Sequence, residues 1–235
     1  MRISKMELGQ NIKIAVDAIV FGYTDNKLNV LLIKQKFGLL KNQWALVGGF
    51  VKDDETLNDA VNRELEEEAG IKVNYLEQLY TFGDDIARDP RFRVVSVAYF
   101  ALVNSTKLVL KADTDAEDAK WFSIHGLPTL AFDHQLILQT AHKRLQSKLT
   151  YQPIGFDLLP EAFLFSELEN LYCTILEKEI DRRNFRKKIL SFGIVEETEK
   201  FGHKMKGRPA KLYRFNNLEY NKLANDGFLF EINFA

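Results

Sequence analysis

The chain has 235 residues, of which 46% are hydrophobic and 28% charged; these values exclude an intrinsically disordered chain and leave room for one large domain or two small ones. Lys plus Arg total 32 and Asp plus Glu total 33, for a formal net charge of -1, so no single sign of charge coats the molecule, although a local basic patch remains compatible with that total. Cys173 is the single cysteine, which rules out an intrachain disulfide and makes a reducing cytoplasm the expected location. MRISKMELGQN has no apolar run after its positive charges, and no stretch of about 18 apolar residues follows anywhere. Neither a secretory signal nor a membrane partner is expected.

In chain order, residues 12–22, IKIAVDAIVFG, are rich in β-branched side chains and read as a strand. Asp25-Asn26 marks a turn, and LNVLLIKQK reads as a second strand. A loop and the glycine pair of WALVGGFV come next. Leu57, Val61 and Leu65 then recur at i, i+4 and i+8 with Ala60 beside them, which predicts a helix over 56–69. Thr56 with Asp59 resembles a capping box at its start. Residues 72–82 and 92–103 read as strands, a further strand or extended segment surrounds Trp121-Phe122, and 133–148 reads as a helix. Pro153, Gly155 and Pro160 break both periodicities in TYQPIGFDLLP, placing a boundary at 150–160. That segment is apolar and is expected to pack against a domain. Helical patterns at about 165–177 and 181–192 follow, then strand-like IVEETEK and AKLYRF on either side of FGHKMKGRP.

Charge separates these parts. Residues 151–177 hold five acidic and no basic side chains, whereas residues 178–214 hold 12 basic and five acidic ones, a local net of +7.

The spacing of Glu64, Glu67 and Glu68 puts three carboxylates on one face of the 56–69 helix, with Glu66 nearby. Like charges at these spacings repel by roughly 0.2–0.5 kcal/mol per pair. They also crowd the last turns, where the helix dipole favours cations. Local rules broken twice point to a functional site, and a bound Mg²⁺ or Mn²⁺ would remove both penalties. A solvated acidic face is the alternative that charge alone leaves open.

The order Gly49, five residues, Glu55, seven residues, then Arg63-Glu64-Leu65-Glu66-Glu67-Glu68-Ala69-Gly70-Ile71 resembles a complete Nudix box over 49–71. The resemblance implies a mixed sheet between helices. It implies metal held by Glu64, Glu67, Glu68 and the Gly48 carbonyl, an Arg63 that orients a glutamate of the cluster, and a Glu55 that pairs with Arg63. It also implies hydrolysis of a nucleoside diphosphate linked to another group, such as ADP-ribose to AMP plus ribose 5-phosphate. In that chemistry the metal neutralises the diphosphate and lowers the pKa of an attacking water. A general base on a later loop would be Asp113, Asp115 or Glu117, unless these form an acidic surface loop. Arg88, Arg91 and Arg93, beside Asp89, are either a clamp for phosphate or ribose or strand-edge surface charges. Phe82 and Phe132 either stack on a base or fill the core.

In DRRNFRKKILSF, Phe185, Ile189 and Phe192 fall on one side, while Arg182, Arg183, Arg186 and Lys187 crowd the opposite arc. Helix, turn, basic helix and a hairpin with a basic loop is a winged-helix pattern. Asn184 and an arginine would read base edges in a major groove, and Lys204, Lys206, Arg208 and Lys211 would form a wing on phosphates or in a minor groove. The alternative is a solvated basic face.

A Nudix box followed by YQPIGFDLLPEAF, RNFRKK and KGRPAKLYRF is similar to the Nudix-related transcriptional regulators, the NrtR-like family. That resemblance implies an α+β chain: a Nudix-fold mixed-sheet α/β/α sandwich over 1–149, a linker over 150–160 and a winged helix-turn-helix domain over 161–235. It also implies a homodimer on double-stranded operator DNA, with a nucleotide or sugar effector sensed by the Nudix domain. Many such regulators have a decayed box, whereas this chain keeps every acidic position, so retained Mg- or Mn-dependent hydrolysis stays open. A plain ADP-ribose pyrophosphatase with a non-regulatory C-terminal domain is the competing expectation. The +7 segment argues against it, because protein interfaces are depleted of lysine.

Overall fold

The structure, a computed structural model, describes residues 11–36, 38, 41–108, 110, 116–202 and 209–232. Strand β1 (Ile12–Thr24) runs into β2 (Lys27–Gln35) through Asp25 and Asn26, whose φ values of 53° and 56° give the left-handed pair that a two-residue hairpin requires. Strands β3 (Trp44–Ala45), β4 (Val47–Phe50), β5 (Tyr75–Phe82), β6 (Arg93–Val103) and β7 (Ala116–Ser123) complete a seven-stranded sheet. Its order is β3-β2-β1-β6-β5, with β4 on β1 and β7 on β2. Only the β1–β6 pair is parallel among the named strand pairs, so the sheet is mixed.

Both faces of β1 are buried, with opposite destinations. Val16, Ala18 and Val20 pack with Val61 and Leu65 of α1 (Leu57–Ala69). Ile19, Phe21 and Tyr23 pack with Ile137, Leu138 and Leu145 of α2 (His134–Tyr151). The two-residue period of the strand thus places one helix on each face, giving the α/β/α sandwich. Thr56 caps α1 in a reciprocal box with Asp59, and Gly70 ends it at φ 66°.

The segment after α2 is buried. Ile154, Phe156 and Leu158, in the 3-10 turn Ile154–Leu158, join the same apolar core as α2. A second sheet follows in the order β8 (Phe163–Leu164), β10 (Ala210–Phe215), β9 (Val195–Gly202). Against it lie α3 (Phe165–Leu176), α4 (Arg182–Ser191) and the short α5 (Asn217–Asn225). Together these elements form the C-terminal winged helix. Helix α5, strand β8 and the 3-10 turn Ile154–Leu158 lie outside the elements that sequence periodicity predicts. No described helix is long and apolar enough to cross a membrane.

Candidate functional site

The apolar stripe of α1 carries two carboxylates. Glu64 and Glu68, one turn apart, are 8% and 4% exposed and face the glycine pair of β4. A Cβ on Gly49 would stand 2.2 Å from Glu64 Oε1, and one on Gly48 would stand 2.2 Å from the Val16 carbonyl oxygen. Only glycines let strand and carboxylates come this close. The Gly48 N–H donates to Glu68 Oε2 at 2.8 Å.

Arg63 organises the remaining acids. Its Nε and Nη2 donate to the two oxygens of Glu55 at 2.9 and 2.6 Å, and Nη2 also reaches the Phe50 carbonyl at 3.2 Å. Nη1 donates to Glu64 at 2.6 Å and to Glu67 at 3.1 Å. All three guanidinium nitrogens are therefore engaged. The Arg63 hydrogen bonds, with the Lys52 N–H, hold the Glu55 carboxyl down at about 2. Burial dominates at Glu64 and raises its pKa despite Arg63. One guanidinium cannot balance four carboxylates, so the face stays negative.

Glu64 and Glu68 open onto a cavity of about 230 Å³, whose other charged walls are Asp17, Asp89, Arg88 and Arg91. Asp17 sits in the buried run of β1, in phase with Ile19 and Phe21, and so points to the α2 face. There its Oδ2 accepts from Ser96 Oγ at 2.5 Å and Arg88 Nη2 at 3.4 Å. Its Oδ1 lies 3.3 Å from His134 Nε2. His134 Nδ1 accepts the Leu46 N–H at 2.9 Å, which leaves the Nε2–H to face Asp17. Burial would raise the Asp17 carboxyl, but His134, Ser96 and Arg88 outweigh it and hold it at about 2.

The cavity rim is aromatic. Arg91 is locked to the buried Asp89 through Nε at 3.0 Å and Nη2 at 2.8 Å. Its guanidinium lies 5.2 Å from the Phe132 ring and 5.7 Å from that of Phe50. Phe132 itself holds φ at 52°, a strained backbone for an aromatic residue and one that tends to accompany binding sites.

Four lining acids face two lining arginines. A diphosphate would meet a net negative wall, a conflict that a divalent cation relieves. The donor chemistry fits such an ion: Glu64 and Glu68 offer hard oxygens at the cavity, and Glu67 stands on the adjoining surface of α1. Among the described residues, no three His, Cys, Asp or Glu side chains converge on one point, since Glu64 and Glu67 bond Arg63 and Glu68 bonds Gly48.

The other expected ligand residues divide. Arg88 lines the cavity, but its Nε and Nη2 are held by Asp133 at 2.9 and 2.6 Å. Arg93 is outside the lining and donates to the Gly83 carbonyl at 2.7 Å. Phe82 is an 8% exposed core residue, because its position in β5 faces the α2 side of the sheet. Glu117 pairs with Lys34 at 3.0 Å on the surface, while Asp113 and Asp115 lie outside the described residues. Asp17, Asp133 and His134 were not anticipated; one aspartate inside an apolar strand was the available signal.

In the winged helix, Asp181 caps α4 by accepting from the Arg183 and Asn184 N–H groups, and the Asn184 side chain folds back onto it at 2.7 Å. Arg182 leans on Asn170 at 3.0 Å and Glu169 at 3.4 Å. Arg183 and Lys187 are exposed. Lys211 pairs with Glu197 at 2.7 Å, and Arg186 is drawn inward onto Tyr213. Lys204, Lys206 and Arg208 lie outside the described residues.

The NUDIX domain family matches residues 12–141, and the NrtR DNA-binding winged helix domain family matches 155–215. The chain is 37% identical over 211 residues to the ADPR responsive transcriptional repressor NtrR of Acinetobacter baylyi, covering 88% of this chain and 83% of that one. It is similar in structure to Shewanella oneidensis NrtR complexed with a 27mer DNA, with TM-score 0.76, 29% identity, and coverage of 94% of this chain and 99% of that one. It also resembles the NUDIX domain of that NrtR complexed with ADP ribose, with TM-score 0.53, 33% identity, and coverage of 58% and 90%. With a Nudix cavity and a winged helix matched in one continuous chain, the protein belongs to the NrtR family of Nudix-related transcriptional regulators.

Proposed function

We propose that the chain is a cytoplasmic, homodimeric transcriptional repressor that binds double-stranded operator DNA through its winged helix and is controlled by ADP-ribose in its Nudix cavity. The observation that carries this reading is α2. Its first residue, His134, walls the cavity, and its far half carries the winged helix. Gln146 Nε2 donates to the Ile175 carbonyl of α3 at 2.9 Å, and the Ile232 N–H donates to the Thr150 carbonyl at 2.9 Å. A ligand that shifts the cavity wall has a continuous helix along which to move the DNA-binding unit. In a dimer that movement changes the spacing of two recognition helices, and spacing decides whether both half-sites are engaged.

The net negative lining gives the metal a part in ligand binding. Mg²⁺ or Mn²⁺ held by Glu64, Glu67 and Glu68 would neutralise the diphosphate and supply an acidified water. The chain's own groups then have separate tasks. Arg63 keeps Glu64 and Glu67 oriented, Arg88 and Arg91 offer positive charge to the phosphates, and Phe132 presents a ring to the ribose or base. Titration of a fluorescent operator duplex with protein, at increasing ADP-ribose, tests the reading. DNA affinity falls as ADP-ribose rises; affinity indifferent to the ligand sinks the sensor.

The intact box favours a second activity, metal-dependent release of AMP from ADP-ribose. Glu67→Gln with Glu68→Gln abolishes that release and leaves DNA binding in place. A wild-type protein that releases no AMP with Mg²⁺ or Mn²⁺ is a sensor without this turnover.

A further inference from the structure

Four of the five cations on α4 (Arg182, Arg183, Lys187 and Lys188) are exposed. Arg186 is drawn inward. Its guanidinium lies 4.4 Å from the Phe165 ring and 5.2 Å from the Tyr213 ring, and its Nη2 donates to the Tyr213 hydroxyl at 2.6 Å. That hydroxyl donates onward to Glu197 Oε1 at 3.0 Å, and Lys211 holds Glu197 Oε2 at 2.7 Å. Phe165 begins α3, Arg186 belongs to α4, Glu197 to β9, and Lys211 and Tyr213 to β10. One relay therefore joins both helices of the helix-turn-helix to both wing strands.

The backbone cannot do this alone. Pairing between β9 and β10 slips between Lys211 and Tyr213: Lys211 stands opposite Phe201, but Tyr213 stands opposite Glu197. At that slip the ladder is broken, and side chains take over the connection. Thr198 Oγ1 bonds the Leu212 carbonyl at 3.0 Å, and the relay lies beside it. A planar guanidinium packed on two rings with a phenol as acceptor fixes an angle; a lysine ammonium does not reproduce this.

The geometry points to Arg186 as a positioning residue for DNA recognition, one that touches no nucleic acid and sets the angle between recognition helix and wing through Tyr213 and Glu197. This rests on the DNA-binding reading above. The consequence is that a phenol with no charge matters to DNA affinity as much as the arginine does.

The test uses the full chain and two duplexes: one that the wild-type protein enriches from a randomised pool, and a scrambled duplex of equal composition. Arg186→Gln, Arg186→Lys and Tyr213→Phe each weaken the enriched duplex by about tenfold, the loss expected of one charge-assisted hydrogen bond. Combining Arg186→Gln with Tyr213→Phe costs no more than about twofold beyond the worse single change, as for two members of one network. Tyr213→Phe leaves scrambled-duplex affinity and the salt slope unchanged, whereas losing a phosphate contact lowers that slope by about 0.9. In the DNA-free protein, amides of β9 and β10 exchange faster in Arg186→Gln and in Tyr213→Phe. Wild-type affinity in Arg186→Lys, or a silent Tyr213→Phe beside an Arg186→Gln whose slope drops by about 0.9, assigns Arg186 to a phosphate and overturns the proposal. Unchanged amide exchange overturns it as well. If the wild-type chain enriches no sequence, the DNA-binding reading fails, and exchange alone then decides the relay.

Discussion

Asp133 occupies the N-cap of α2, yet its carboxylate bonds Arg88 twice, at 2.9 and 2.6 Å, and makes no side-chain hydrogen bond to the first turn. An N-cap aspartate normally stabilises a helix by about 1 kcal/mol. Here that role is given up to hold a cavity arginine, so the start of α2 answers to the cavity rather than to the helix. Serine at this position can cap the helix but cannot hold Arg88. Asp133→Ser therefore leaves the buried Arg88 without its chief partner and costs about 3 kcal/mol of stability, while shrinking the effect of saturating ADP-ribose on DNA affinity. Operator titrations with and without ligand measure it; an undiminished ligand effect removes α2 from the signal path.

Asp17 makes acid stability an assay of the buried network. Its carboxyl falls from 3.8 to about 2 on folding, so the folded state binds the proton less readily than the unfolded one. The resulting stabilisation is present above pH 4 and is lost as pH falls from about 4 to 2. A shift of that size corresponds to ~2 kcal/mol. Asp17→Asn loses about that much at neutral pH and flattens the acid limb of a denaturation series between pH 4 and 2. A variant whose acid limb matches wild type contradicts the pairing of Asp17 with Ser96, Arg88 and His134.

These residues also show what was legible in the sequence. The box of α1 was readable because its pattern is local: Thr56 and Asp59 cap it, Leu57, Val61 and Leu65 recur along it, and Glu55 reaches Arg63 eight residues away. The Asp17–Ser96, Arg88–Asp133 and Leu46–His134 bonds span 79, 45 and 88 residues, and only the fold brings those partners together. Helix α5 was missed because none of its residues is buried, so no apolar stripe announced it. Arg93 and Phe82 carried suitable chemistry for a ligand site, but strand phase turned Phe82 into the core and the Gly83 carbonyl took Arg93.

The two glycines of β4 fail in different ways. A Cβ on Gly48 meets backbone, the Val16 carbonyl oxygen, at 2.2 Å, while one on Gly49 meets the end of the Glu64 side chain at 2.2 Å. Backbone between paired strands has nowhere to go, so Gly48→Ala destabilises the fold by about 2 kcal/mol or more. A side chain yields, so Gly49→Ala costs less stability but pushes Glu64 off its place and weakens the metal-induced rise in melting temperature. Melting curves with and without MnCl₂ separate the two; an undiminished Mn²⁺ shift in Gly49→Ala takes Glu64 out of the ion site.

The exposed cations of α4 divide by their partners. Arg182 is bonded to Asn170 and Glu169, so its removal disturbs the α3–α4 junction and exposes the buried Glu169 carboxylate to water. Arg183 and Lys187 are exposed, which leaves them able to release DNA counterions. Each of Arg183→Ala and Lys187→Ala lowers the slope of log affinity against log salt by about 0.9 and weakens enriched and scrambled duplexes alike, the signature of a phosphate contact. If either position instead reads a base edge, enriched-duplex affinity falls by about 1–3 kcal/mol and the scrambled duplex is little changed. Salt titrations of both duplexes distinguish these outcomes. Slopes and affinities that match wild type in both variants remove Arg183 and Lys187 from the DNA interface.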